Sequence, residues 1–152
     1  MRRRFFMVGF LALCVAAPFA YGWSSSAGTG PAEIRITSRE VTRVRMAVGA
    51  PGRIGDTEIV RQNLFNKRIK SAPIGQSEYL CTFLTSRMRS CNVTITLPKG
   101  RIVAGGTIGY LELYELAVLG GTRLYDNARG TLTVIQTTRN PRRQILVFRL
   151  TG

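Results

Sequence analysis

Residues 100–130 read GRIVAGGTIGYLELYELAVLGGTRLYDNARG, and the alternation of apolar runs with glycine pairs in this stretch decides the fold. Ile102-Val103-Ala104 and Leu111 to Leu119 are β-prone. Gly105-Gly106 and Gly120-Gly121 punctuate them, and Ala128-Arg129-Gly130 closes the segment. Paired glycines supply backbone freedom where a strand must turn sharply or bulge. The stretch therefore predicts strand, glycine corner, long strand, glycine corner, and a loop feeding a further strand.

The same pattern extends outward. Tyr79 to Thr85 and Cys91 to Leu97 read as strands about a Ser86–Ser90 turn, and Pro98-Lys99-Gly100 turns the chain into the central stretch. Thr57 to Asn66, Thr131 to Thr138 and Gln144 to Leu150 add further strands. From Glu33 onward Ile34, Ile36, Val44, Met46 and Val48 share one parity, while Arg35, Arg39, Arg43 and Arg45 share the other. That predicts an apolar inner and a basic outer face, with a bend or loop near Glu40 and Thr42. No convincing amphipathic helix appears. About eight short strands predict an all-β domain, a small closed antiparallel barrel or, on pattern alone, a β-sandwich. A closed barrel has the advantage of leaving no exposed strand edge.

Residues Glu115 to Thr122 (ELAVLGGT), followed by Tyr125 and Ala128-Arg129-Gly130, resemble a motif of plant dirigent proteins. Those proteins share an eight-stranded barrel with the allene oxide cyclases, and bacterial relatives exist. Upstream, Gly55-Asp56, Asn63 to Asn66, Ile74-Gly75 and Tyr79 to Thr82 are similar to the bacterial members. The resemblance thus runs from Gly55 to the C-terminus. It departs from the family at Arg123, where a glycine usually follows GGT. It implies a closed eight-stranded barrel that binds an apolar small molecule in its lumen. It also implies cofactor-free guidance of a cyclisation or a stereoselective coupling, for example of a polyketide-like or phenolic intermediate. The alternative is a non-catalytic secreted barrel that binds a ligand or an envelope partner. The fold does not choose between them, because one barrel hosts unrelated activities.

The chain has 152 residues, enough for one domain. Arg2-Arg3-Arg4, an apolar run from Phe5 to Ala17 and small residues at Ala20 and Gly22 read as a secretory leader cleaved after Gly22. Retention as an anchor is the runner-up. Cys14 falls within this leader, residues 23–32 form a Ser/Gly/Thr-rich lead-in, and residues 33–152 form the barrel domain. Without the three leader arginines the chain keeps 19 basic against 8 acidic residues, a net charge of +11. The basic residues are scattered and carry no nucleic-acid motif, so weak contact with anionic envelope surfaces is the expected consequence. Self-association of the barrel is left open. Cys81 and Cys91, the two cysteines left, predict a structural disulfide across the Ser86 hairpin.

Histidine is absent, which removes Ser-His-Asp triads, histidine acid–base chemistry and most zinc sites. No metal site and no cofactor is expected. Glu115 shares the parity of Leu111, Leu113, Ala117 and Leu119, and it matches the glutamate that precedes GGT in the dirigent pattern. An inward-facing Glu115 would be a carboxylate in an apolar lumen, the candidate proton donor or base. A structural ion pair with Arg129 is the competing explanation. Tyr79, Tyr110, Tyr114 and Tyr125 are candidate walls or rim for a ligand, with core packing as the alternative. The parity of Tyr110 and Tyr114, shared with Glu112 and opposite to Glu115, reads as a wet outer face or, if the strand is bulged, a lumen rim. Arg129 is a candidate anchor for a ligand anion.

Overall fold

The computed structural model describes residues 32–48, 54–66, 72–109, 111–140 and 142–151. The expected leader and lead-in, residue 32 apart, and Tyr110 lie outside the described residues. Eight strands form one closed antiparallel barrel in sequence order: β1 (Ala32–Met46), β2 (Thr57–Phe65), β3 (Gly75–Phe83), β4 (Met88–Leu97), β5 (Gly100–Gly109), β6 (Leu113–Gly121), β7 (Arg129–Arg139) and β8 (Arg142–Thr151). β8 pairs with β1 to close the ring, so no edge is left unpaired. The barrel expectation holds and the sandwich alternative falls.

Inward residues alternate along each strand and divide the interior into two halves. The half that holds both ends of the described chain is filled by Ile36, Leu64, Ile95, Ile102, Leu132, Leu146 and Phe148, all buried. A barrel of about eight strands is narrow enough for side chains to fill it in this way. The other half, where β1 ends and β2 begins, carries polar and charged side chains instead.

Cys81 and Cys91 stand directly opposite each other on β3 and β4 and form a disulfide, as the hairpin register predicts. Both point inward and are buried.

β1 corrects the expectation of an apolar inner and basic outer face along its whole length. Up to Ser38 the inner row is even-numbered, as expected. The pairing with β2 then shifts between Glu40 and Thr42, leaving Val41 as an extra residue. A bulge of one residue moves every later side chain to the opposite face. Val44 and Met46 therefore lie exposed outside, whereas Arg43 and Arg45 turn toward Glu58 at the mouth of the barrel.

The glycine pairs also behave differently from one another. Gly105-Gly106 is not a corner, since β5 runs through it unbroken. A Cβ on Gly105 would approach Asn92 Oδ1 to 2.9 Å and Leu119 Cδ1 to 3.1 Å, so the bare backbone makes room for neighbouring side chains. Beside Gly120 the expected irregularity is real. Pairing of β5 with β6 slips between Val103 and Ala104, and Leu119 is the extra residue.

A single 3-10 turn, Arg123–Tyr125, follows, and Arg123 sits at φ 58°. The departure from the family's glycine thus falls on a left-handed backbone, which costs an ordinary residue about 1–2 kcal/mol. Arg123→Gly is expected to leave stability unchanged or raise it by up to about 1 kcal/mol, because glycine's larger unfolded-state entropy offsets part of the relief. Urea unfolding of the two proteins measures this.

Candidate functional site

A cavity of about 240 Å³ opens at the charged end of the barrel, opposite the packed half. Its walls come from every part of the sheet: Arg43 (β1), Glu58 and Val60 (β2), Tyr79 and Cys81 (β3), Arg89 (β4), Ile108 (β5), Tyr114 (β6) and Gln144 (β8). Leu111, Glu112, Gln136 and Arg142 form its rim.

Glu58 is the carboxylate of this end. It is 1% exposed and accepts hydrogen bonds from Arg43 (2.5 Å), from Arg89 and, more distantly, from Arg45 (3.4 Å). Arg43 also donates twice to Glu40, at 2.7 and 3.0 Å. Arg45 in turn stacks over the ring of Phe83, 4.7 Å from its centre. Burial alone would raise the Glu58 carboxyl. The hydrogen bond and charge of Arg43, with the charges of Arg89 and Arg45, outweigh it and hold the group below the usual carboxylate range. Glu58 is therefore an ionised strut between guanidinium groups, not a proton donor at neutral pH.

Beneath this cluster lies a neutral polar layer. Gln62 donates to Gln144 Oε1 (2.9 Å), and Ser77 donates to Gln62 Oε1 (3.1 Å). Tyr114 sits against Gln144 on one side and Tyr79 on the other. The Tyr79 hydroxyl is buried next to Tyr114 without meeting the geometry of a full hydrogen bond. Burial pushes the Tyr79 phenol well above its ordinary value, and the neighbouring Tyr114 adds to the shift. Burial also raises Tyr114, although Arg89 and the contacts with Tyr79 and Gln144 pull it partly back.

These shifts fix the sign of the pH dependence. A depressed carboxyl such as Glu58 stabilises the fold at every pH above its unfolded value of about 4.3, and loses that contribution as pH falls through the folded value. A raised phenol stabilises fully below its unfolded value of about 10, and loses that contribution as pH rises through the folded value. Thermal melting should therefore show a plateau between these limits. Glu58→Gln should flatten the acid side and Tyr79→Phe the alkaline side.

The site residues expected from the sequence divide between the two ends and the outer wall. Tyr79 and Tyr114 come together in the cavity. Glu115 does not join them, and its expected inward orientation is corrected. On β6 the inward row is Tyr114, Leu116 and Val118, so Glu115 lies exposed on the outer wall, where it accepts a hydrogen bond from Thr133 Oγ1 (3.0 Å). The apolar residues that suggested an inner row, Leu111, Leu113 and Leu119, are themselves exposed. Both faces of β6 are apolar, so hydrophobicity could not choose between them.

Tyr125 and Arg129 sit at the opposite end of the barrel. Tyr125 packs against the core and lines a shallow hollow with Ile34, Ile74 and Leu97. Arg129 donates to the backbone carbonyls of Leu119 (2.6 Å) and Ala128 (3.0 Å), which pins the loop to the end of β6. The ion pair with Glu115 is not formed either. The GGT…Y…ARG motif is thus a structural closure remote from the cavity.

Sequence reasoning missed Glu58 and Arg89. The signal was present in β2, where Glu58, Val60, Gln62 and Leu64 share a parity and the opposite row carries Arg61 and Asn63. Among the described residues no cluster of histidine, cysteine, aspartate and glutamate could hold a metal ion.

This barrel is of the allene oxide cyclase and dirigent type. Solved structures that resemble it include a pyocyanin demethylase, at 25% identity and a TM-score of 0.67, covering 79% of this chain and all of the other. A pterocarpan synthase dirigent protein matches at 13% identity and a TM-score of 0.63, over 80% of this chain and 83% of its own. A Diels–Alderase from Streptomyces koyangensis matches at 17% identity and a TM-score of 0.63, over 84% and 72%. At the identities of the last two, the likeness is one of fold alone. No family model matches the chain, and no curated protein sequence matches it significantly.

Proposed function

We propose that this protein is an exported barrel that takes a small organic molecule into its charged end and guides a cyclisation, coupling or related conversion of it. The observation that carries this reading is the 240 Å³ cavity, walled by Tyr79, Tyr114, Arg89 and Glu58 in a barrel whose other half is lined by buried apolar side chains. A barrel serving only as a scaffold would gain by filling that space with apolar side chains, as it does at the other end. The volume lies below the roughly 300–1,000 Å³ of drug-sized sites, so the ligand is small or inserts one end only.

The expected apolar lumen gives way to a polar one. Gln144, Tyr79 and Tyr114 offer fixed hydrogen-bonding groups, while Val60, Ile108 and the disulfide supply the apolar part of the wall. Such a site orients its ligand, and holding a reactant near its reacting geometry can lower a barrier by several kcal/mol without covalent chemistry. Glu58, tied to its arginines, shapes and charges the site rather than moving protons. Support for a conversion, as opposed to carriage alone, comes from structural neighbours described as a demethylase, a dirigent protein and a Diels–Alderase. Export is inferred from the leader-like residues 1–22 and agrees with the formed disulfide.

Mass spectrometry of small molecules that co-purify with the exported protein tests this reading, followed by incubation of each with fresh protein. A ligand released by wild-type protein and lost on filling the cavity by Val60→Trp supports it, and its conversion to a product establishes catalysis. Recovery of the ligand unchanged after incubation points to the non-catalytic alternative.

A further inference from the structure

We infer that the open end of the barrel docks on an anionic lipid surface. The apolar tips of three hairpins enter the headgroup region, and the arginines among them meet the lipid charges. This docking surface is the rim itself, so it stands apart from what the cavity holds.

Topology gathers the tips. In a barrel whose strands follow sequence order, alternate hairpins share an end. The β1–β2, β3–β4 and β5–β6 connections therefore all lie around the cavity mouth. They carry large apolar side chains that face solvent: Val48 (77% exposed), Ile54 (74%), Leu84 and Leu111 (68%), with Met88 beside them at the start of β4. Apolar residues exposed singly are normal on a protein surface, whereas a contiguous set marks an interaction site. Among the described residues, the connections at the opposite end expose one such side chain, Leu124.

Backbone contacts join the tips into an arc. The Val48 N–H donates to Asp56 Oδ1 (2.9 Å), and the Gly55 N–H donates to the Phe83 carbonyl (2.9 Å), which ties the first tip to the second. Within the second, the Leu84 N–H donates to the Met88 carbonyl (2.9 Å). Thr85 Oγ1 there accepts from the N–H groups of Arg87 (3.2 Å) and Met88 (3.0 Å). Met88 stands opposite Gly109, the last residue before the third connection.

Charge identifies the partner. Arg45, Arg87 and Arg142 are exposed at this end, against one exposed acid among the described residues, Glu112. Asp56 and Glu58 are buried, and Glu58 is taken up by Arg43 and Arg89. Apolar tips flanked by arginines match a membrane interface, where buried apolar area and attraction to anionic lipids act together. Shape favours lipid over a protein partner. The side chains stand on separate tips around an opening, and a fluid headgroup layer can close around each of them, whereas a folded partner would need a matching relief. Leu111 and Arg142 belong both to this rim and to the cavity lining, so a docked barrel opens its cavity onto the lipid.

The experiment is sedimentation of the purified protein, with no ligand added, against vesicles of phosphatidylglycerol and phosphatidylcholine and against vesicles of phosphatidylcholine alone. Binding to the anionic vesicles is expected to be at least about tenfold tighter, and to weaken several-fold as salt rises well past physiological strength. Removing two apolar tips together, by Val48→Ser and Ile54→Ser, should weaken it by about tenfold, and Arg87→Glu by about fivefold. Leu124→Ser, at the other end, should change nothing. Hydrogen exchange in the presence of vesicles should slow over 84–88 and not over 122–128.

Absence of binding to the anionic vesicles would overturn the docking surface, and so would equal binding to the neutral ones. Binding that survives the Val48, Ile54 and Arg87 substitutions, or protection over 122–128 instead, would also overturn it. A concentration-dependent oligomer in light scattering that the tip substitutions dissolve, without vesicle binding, would assign the rim to a second copy of the chain and not to lipid. The ligand-binding reading fails by a different result, a co-purified ligand whose retention Val60→Trp leaves unchanged, whatever the vesicles show.

Discussion

Glu58→Gln is expected to destabilise the fold by about 2–4 kcal/mol, an effect far above that of an ordinary surface substitution. Removing one partner from a buried ion cluster costs about 3–5 kcal/mol, because the charges left behind remain desolvated without compensation. The lower figure applies here because the guanidiniums of Arg43, Arg45 and Arg89 keep 26%, 39% and 14% of their side-chain exposure and are partly screened by water. The loss should shrink when Arg43→Met is added, since that removes one of the uncompensated charges, and a double-mutant cycle measures the coupling. Urea unfolding provides the readout. A change below about 0.5 kcal/mol, the range of surface substitutions, would mean that the cluster is solvated in solution and does not define the mouth of the barrel.

Gly130→Ala should be comparably severe, for a different reason. Gly130 pairs with Leu150 at φ 131°, and a Cβ there would lie 1.9 Å from the carbonyl oxygen of Arg149. No rotamer can relieve a clash between a Cβ and backbone, so β7 and β8 must part locally. The strained backbone costs about 1–3 kcal/mol and each weakened ladder hydrogen bond about 1 kcal/mol more, giving roughly 3 kcal/mol or above. Because Gly130 sits at the end remote from Tyr79 and Glu58, protein that remains folded should keep its affinity for a cavity ligand. Tolerance of alanine with a loss under about 1 kcal/mol would show that the closing turn is looser than described. Loss of affinity in a still-folded variant would tie the motif to the site after all.

The barrel was legible because its evidence is local and repeated. Alternation in β3 and β4 placed Cys81 opposite Cys91, and the turn residues between strands gave the strand count. What escaped the sequence was orientation, at two places. In β1 the break in the inner row at Glu40 and Thr42 marks where the irregularity falls, but not that the extra residue Val41 reverses the faces beyond it. Arginines that read as a wet outer face thereby become part of the mouth. In β6 the exposed row of Leu113, Ala117 and Leu119 is as apolar as the buried row of Leu116 and Val118, so parity alone pointed Glu115 the wrong way. The site was half legible for the same reason. Tyr79, a candidate wall residue, lies on a strand with clear alternation, whereas Glu58 shares its row with Gln62, and its burial depends on Arg43 and Arg89 arriving from strands far off in sequence.

The resemblance to dirigent proteins rests on residues that fix the shape of the barrel. Gly121 leaves no room for a side chain, since a Cβ would fall 2.3 Å from the carbonyl oxygen of Tyr125 and 2.7 Å from that of Arg101. Arg129 holds the loop through backbone carbonyls. A motif made of such residues reports the fold and says nothing of the ligand. The chemistry of this protein must then be sought in the residues of the other end.

The most direct measurement is a crystal structure of the purified protein with a co-purified small molecule bound. The predicted result is a ligand in the charged-end cavity beside Tyr79 and Tyr114, with Glu58 still joined to Arg43 and Arg89. A ligand on the outer wall near Glu115, or in the hollow beside Tyr125, would contradict the account.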